Sequence, residues 1–427
     1  MSFVKQIAGG LGGKVAGAAL TFACSVLLAR ILGAEGYGAY SIAVAVATIA
    51  LVPAQLGLPS LVVRETASFL AEGSWRRVNS LWRWAHRTAL ITASAVTILA
   101  LLAIYQSQGP YRVLLGIAAF TIVPTTLNSL RAAMLRGAGH VAVGVMPEYI
   151  IKPLALMAIV AICFLMGAQS AELAVGASVA ASMVTYFIGR QILKLKTPAA
   201  AWSAQPPIGH AVRKDWLGAA VWLSVLASSQ VISQQIDVVL VAALLDPVAV
   251  GVFKVAVSAA ALIVFALNAV NLVTAPYFSR LLAQNKMADL QKLVTRTSRL
   301  TLLFALPLCA LFAIGGDRIV GFFYGSEFVP AANCIRILCV GQLINASFGA
   351  VSGLMTMARQ QRTVIAAFAV ALAINVAVSL ILVPIYGIEG AAIGSSFSLA
   401  IWNVALAVIC RRRVGIWTFA FSRRRPA

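Results

Sequence analysis

Twelve long apolar runs, separated by short polar segments, leave this chain few ways to fold. They cover residues 7–32, 39–63, 88–105, 113–135, 141–167, 171–192, 217–245, 250–278, 300–323, 331–357, 363–385 and 389–410. A helix crossing a bilayer needs about 20 predominantly apolar residues. In lipid every backbone N–H and C=O must be satisfied within the structure, so runs of this length predict helices. Charged residues make up 11% of the chain, against roughly 25% in a soluble domain. The gap between runs at 193–216, with none longer, is too short for a soluble domain. The first run follows Lys5 as a signal peptide's would, but it is too long and lacks a single small-residue cleavage site. It is read as a retained span.

Net charge is +21. In a soluble protein that would suggest nucleic acid, but here the loops account for it. With the N-terminus on the cytoplasmic side, 26 of the 33 Lys and Arg fall in or beside cytoplasmic segments and only Arg112 in an exterior loop. Arg131 and Arg136 are counted among the cytoplasmic set. Such asymmetry is the positive-inside pattern, and it predicts a bacterial inner-membrane protein with both termini cytoplasmic and no nucleic-acid partner. The exterior loops are too short for a catalytic domain, and no enzyme motif is present. The six cysteines form no CxxC pair, and His86, His140 and His210 lie in loops, so neither a disulfide framework nor a metal site is expected.

The chain repeats. Ile31–Tyr40 aligns with Leu244–Phe253 at an offset of 213, and Arg83 with Arg296 at the same offset. The predicted fold class is all-α: about 12 transmembrane helices in two pseudo-symmetric six-helix lobes around a central cavity. Lobes at 1–192 and 217–410, a Pro/Ala-rich cytoplasmic linker at 193–216 and a basic tail at 411–427 complete the expected organisation. Trp75, Val78, Trp82 and Ala85, and more weakly Met287, Leu290, Val294 and Thr297, recur at helical spacing among basic residues. They are expected to lie on the inner leaflet. The tail, with Trp417, Phe419 and Phe421 between two Arg triplets, is expected to adsorb to anionic lipid.

Charges inside a bilayer are costly and mark functional positions. Lys14, Thr21 and Ser25 share one face of the first span; Glu148 and Lys152 stand four apart in the fifth. The seventh carries Gln230, Gln234 and Asp237, and the eighth Lys254 and Asn268. Arg30 and Arg64 sit near span ends, where snorkelling to the interface is the plain alternative. For Glu148–Lys152 it is a structural pair, and for Asp237 an ion pair with Lys254. Bases outnumber acids on these faces, which suits an anionic ligand. Prolines interrupt several spans: Pro53 and Pro59 around Gln55 and Gly57, Pro147 and Pro153 around Glu148–Lys152, and Pro276 and Pro307 in the eighth and ninth. Such breaks are read as cavity linings or hinges.

Leu27–Tyr40, then Gly57-Leu58-Pro59, Val63-Arg64-Glu65 and Gly390-Ala391-Ala392-Ile393-Gly394, resemble motifs of polysaccharide exporters and O-antigen flippases. These belong to the multidrug/oligosaccharidyl-lipid/polysaccharide exporter superfamily. The resemblance implies a V-shaped pair of six-helix lobes that move polyprenyl-pyrophosphate-linked oligosaccharides outward for surface polysaccharide (O-antigen of lipopolysaccharide, capsule or exopolysaccharide). It implies that basic residues hold the pyrophosphate, the candidates by position being Lys14, Arg30, Arg64, Lys152 and Lys254, with Asn268 beside them. Glu148, Gln230, Gln234 and Asp237 would be coupling or cavity groups. No cofactor is implied beyond a coupling H+ or Na+; the partners are the lipid-linked glycan, membrane lipids and polysaccharide assembly machinery. A cation-coupled multidrug antiporter of the same superfamily, centred on acids such as Asp237, is the alternative reading. A membrane enzyme of polysaccharide assembly would need a large exterior loop.

Overall fold

The computed structural model describes residues 3–107, 109–198 and 210–421. Its elements, in order, are helices α1 (Phe3–Gln55), α2 (Leu58–Ala71), α3 (Trp75–Gln106), α4 (Arg112–Ala119), α5 (Ile122–Gly137) and α6 (Val141–Met146). A π turn (Pro147–Ile151) leads into α7 (Lys152–Leu165), then α8 (Ala171–Lys196), α9 (His210–Leu244), α10 (Pro247–Ala283) and α11 (Met287–Phe323). The chain closes with α12 (Ala331–Phe348), α13 (Val351–Met357), α14 (Gln361–Tyr386) and α15 (Ile388–Val414). Among the described residues, ten helical segments are long and apolar enough to cross a membrane, and the chain is a multi-pass membrane protein. Twelve is an approximate count. The first two predicted spans join into α1 across a bend at Gly33, whose φ is 67°. In α9 only Val231–Leu244 reads as an apolar segment among the described residues. Of the 193–216 linker, 193–196 complete α8, 210–216 open α9, and 199–209 lie outside the described residues.

The chain divides into two compact units, Met1–Gln235 and Ile236–Ala427. In the first, α2, α3, α5 and the start of α9 share a core of Leu58, Leu61, Val78, Trp82, Leu130 and Trp216. The Trp75–Ala85 periodicity therefore serves protein packing rather than the leaflet. Val78, Trp82 and Ala85 are buried, and the Trp82 indole donates to the Thr66 hydroxyl at 2.9 Å. The start of α9 belongs here because Trp216 packs on Trp84, ring centroids 5.3 Å apart. Pro53 lies in the last turn of α1, and the helix stops at Leu56 (φ 46°) and Gly57 (φ 66°) before α2 opens with Pro59. Proline at the start of a helix forfeits no intrahelical bond, so an elbow forms here.

In the second unit, α14 and α15 approach closely because Gly390 and Gly394 carry no side chain. A Cβ at Gly394 would stand 2.4 Å from the Ser379 hydroxyl, and one at Gly390 2.3 Å from the Leu382 carbonyl. Small residues four apart let helix backbones meet in a membrane. The Asp246 carboxylate caps α10, accepting from the Ala249 N–H at 2.7 Å. The expected breaks at Pro276 and Pro307 do not occur. Helix α11 runs unbroken through Pro307 and α10 through position 276, as a proline costs one hydrogen bond that tertiary packing can offset. The Leu290–Thr297 face of α11 is also buried in protein, not laid on lipid.

The segment after α15 is packed more tightly than its sequence suggests. Ile416, Thr418 and Ala420 are buried. The Gln291 side chain accepts from the Trp417 N–H at 2.8 Å and donates to its carbonyl at 2.7 Å. Ser298 and Arg299 donate to the Thr418 and Ala420 carbonyls, each at 2.9 Å. The Ala420 N–H reaches the Ser347 carbonyl at 2.8 Å, next to the Gly349 break between α12 and α13. Residues 415–421 thus form a strap pinned to α11 and to that break, and within it Trp417 and Phe421 remain exposed.

Candidate functional site

Intramembrane ionisable groups gather in two places, one in each unit. In the first, the π turn widens the helix just where Glu148 and Lys152 stand. Prolines at 147 and 153 withhold two backbone donors, so the chain adopts the wider turn, a feature frequent at functional positions. Lys152 lies in electrostatic reach of both Glu148 and Cys24 of α1, but it does not close a salt bridge with Glu148. Gly17 of α1 lets the turn approach: a Cβ there would be 2.7 Å from that of Tyr149.

A third charge joins this group. Arg131, counted by sequence among the cytoplasmic basic residues, lies within α5 and is 3% exposed. Its guanidinium stands against the α8 backbone at Gly189, where a Cβ would be 2.4 Å from Nε. One Nη donates to the Gly144 carbonyl at 3.5 Å, while Nε and the other Nη have no partner among the described residues. Arg131 also lies in electrostatic reach of Glu148. One acid therefore faces two bases, an arrangement that the i,i+4 spacing of Glu148 and Lys152 alone does not reveal.

In the second unit the focus is Asp237 on α9. Its carboxylate accepts from the Asn375 amide of α14 at 2.8 Å and from the Ser395 hydroxyl of α15 at 2.7 Å. Ser379 donates in turn to Asn375 Oδ1 at 3.3 Å. The ion pair with Lys254 is absent: every described partner of Asp237 is neutral. Lys254 is half-buried on α10, in no salt bridge among the described residues. A second polar layer joins α12 to α15, with Asn403 donating to Asn345 at 3.1 Å and Asn345 to Gln342 at 3.2 Å. A network at the far end of α12 links Arg336 to Asp317 and Asn333, and Asn333 to Glu389.

The remaining candidates are dispersed. Arg30 is exposed on α1 and Gln234 on α9. Arg64 pairs with its neighbour Glu65 at 2.9 Å and stays 56% exposed. The side chains of Lys14, Gln230 and Asn268 lie outside the described residues. Sequence reasoning missed Arg131 because it sits close to a basic loop, and Ser395 because a serine in a small-residue stretch reads as packing. The clue for Ser395 is its place one residue after Gly394, where α14 comes close.

Isolated charges and a neutral-liganded carboxylate on membrane-capable helices are costly and mark functional positions. The fold has known counterparts. It superposes with a TM-score of 0.80 on a multidrug resistance MATE family transporter of the MOP superfamily in its inward-facing conformation. That match has 15% identity and covers 93% of this chain and 94% of the other. It superposes with a TM-score of 0.74 on the lipid II flippase MurJ in an inward closed conformation, at 14% identity, covering 96% and 87%. Over residues 27–333 the sequence matches the polysaccharide biosynthesis protein family, and the chain belongs to that family, as the resemblance at Leu27–Tyr40 implied. A stretch of 169 residues is 25% identical to the probable low-salt glycan biosynthesis flippase Agl15 of Haloferax volcanii, 39% of this chain and 36% of that protein. The chain thus matches about a third of the length of that curated relative.

Proposed function

We propose that this protein is a flippase that moves polyprenyl-pyrophosphate-linked oligosaccharide units across a bacterial cytoplasmic membrane for assembly of surface polysaccharide (O-antigen, capsule or exopolysaccharide). The observation that carries the reading is the family's span set with more cations than acids inside it: Lys152, Arg131 and Lys254 against Glu148 and Asp237. Lys254 has no ion pair among the described residues, and Lys152 and Arg131 together outnumber Glu148. A pyrophosphate cannot enter hydrocarbon unaided. A cation about 4 Å from it contributes on the order of a few kcal/mol in a partly hydrated site, while the polyprenyl tail stays in lipid. No covalent bond changes. The name of the Haloferax relative and of MurJ supports a lipid-linked glycan as cargo. The basic loops support cytoplasmic termini. Asp237, held by two neutral donors, is the proposed coupling group for H+ or Na+.

The experiment is deletion of the gene in cells without a redundant exporter. Lipid-linked repeat units accumulate on the inner leaflet and surface glycan falls. Unchanged glycan overturns the reading. The neutral setting of Asp237 also favours a second reading, a cation-coupled drug antiporter. Loss of drug efflux with intact surface glycan would select it.

A further inference from the structure

The elbow between α1 and α2 leaves a groove against α9 that no charged site uses. The space it encloses together with the solvent at its open mouth is about 460 Å³. The break that makes it is costly, with a non-glycine residue at positive φ (Leu56) beside Gly57. Gly57 lies flat on α9, where a Cβ would be 2.2 Å from the Ala220 carbonyl and 2.5 Å from the Ser224 N–H. The elbow is thus fixed against α9, and the groove opens beside that contact.

Among the described residues the lining contains no charge. Its polar members are Thr48, Gln55, Ser60, Ser224 and Ser228; the rest are aliphatic, proline or glycine. Three hydroxyls already spend their protons on their own helices. Thr48 donates to the Val44 carbonyl at 2.6 Å, Ser224 to Val221 at 2.7 Å and Ser228 to Ser224 at 2.5 Å. The Gln55 amide donates to Ser129 at 3.2 Å. What these groups offer is mainly acceptor capacity, hydroxyl lone pairs and an amide oxygen, beside neutral donors in the second Gln55 N–H and the Ser60 hydroxyl. A phosphate brings only acceptors and meets no cation here. A hydrocarbon chain would strip water from these oxygens and return no hydrogen bond. A ring with hydroxyl donors on its edge and C–H groups on its face fits both sets.

We propose that this groove seats an uncharged, hydroxyl-bearing sugar of the lipid-linked substrate, the one adjoining the pyrophosphate. Ser60 lies one helical turn from Arg64 on the same face of α2, a separation of about 5–6 Å between Cβ atoms. Arg64 is exposed, with Glu65 as its described partner. A phosphate that displaces Glu65 from Arg64 brings the attached sugar to Ser60 and the groove. The inference rests on the flippase reading and assigns its first glycan contact.

The test uses the full-length protein with Ser228→Cys in membrane vesicles, labelled with N-ethylmaleimide. A polyprenyl-pyrophosphate-linked monosaccharide slows labelling by about threefold at twice its dissociation constant, and polyprenyl phosphate without sugar does not. Equal protection by both lipids overturns the sugar assignment in favour of the headgroup or tail. Protection by neither overturns the groove as a substrate site. In cells, Ser228→Phe fills the groove and lowers surface glycan at least about tenfold at unchanged protein level, whereas Ser228→Thr does not. Normal glycan with Ser228→Phe, in cells where gene deletion abolishes glycan, removes the groove and leaves the flippase function standing. Normal glycan after gene deletion removes the function itself.

Discussion

The Asp237 carboxylate and the Ser395 hydroxyl, 158 residues apart, meet at 2.7 Å between α9 and α15. Together with the 2.8 Å bond from Asn375, this contact makes a carboxylate held without any cation. Such a group can take up an external one.

The first prediction follows from that neutral setting. Asp237→Asn keeps the side chain's size and can still accept from Ser395, so the protein folds and reaches the membrane at wild-type levels. Export loses its dependence on the proton or sodium gradient and falls at least about tenfold, a loss of about 1.4 kcal/mol or more of coupling. Transport assayed in vesicles with imposed gradients checks it. Gradient-driven transport that survives the change excludes Asp237 from coupling.

The second prediction concerns the α14–α15 contact. Gly394→Val places methyl groups where the Ser379 hydroxyl already stands, and overpacking of this kind costs about 1–3 kcal/mol. Gly176→Ala in α8, with open space at its Cβ position, is neutral or stabilises by up to about 1 kcal/mol. Thermal unfolding of the detergent-solubilised protein, followed by loss of its monodisperse peak, ranks the variants. Equal behaviour of the two would show that the helices do not meet as described.

The third prediction concerns the strap. Gln291→Ala removes both bonds to Trp417, leaving Trp417 backbone groups to water. Trypsin then cleaves faster after Arg411–Arg413, in detergent without anionic lipid as well as in membranes. Cleavage unchanged in detergent would mean that lipid, not α11, holds the segment.

These contacts show where sequence was legible. Apolar run length marks the spans because the bilayer imposes one thickness and no water, so nearly every described helix lies on a predicted run. The Ile31–Tyr40 motif lies in the stretch that matches the family and Gly390–Gly394 lies beyond it; each marks a backbone constraint, the Gly33 bend and the α14–α15 approach. Periodicity was read correctly at Trp82 and Leu290, but the partner was not. An amphipathic face looks the same whether protein or leaflet covers it. Charge was legible as a residue type and not as a pairing. Asp237 was flagged, yet its partners lie on α14 and α15, and nothing local distinguishes Asn375 or Ser395 from ordinary packing residues. Arg131 shows the same limit, since proximity to Arg136 hid its burial against Gly189.

The central claim is that cations inside the spans hold an anionic lipid-linked glycan, and Lys152 and Lys254 test it most directly. Both are replaced by Gln, singly and together, in cells that make the glycan, and by Arg as charge-keeping controls. The measurement is the ratio of lipid-linked repeat units on the inner leaflet to surface polysaccharide, at matched protein level. Each single change is expected to raise the ratio about tenfold or more, the double change to raise it to the gene-deletion value, and Arg to restore most of the export. A double variant that exports glycan like the wild type would contradict the account.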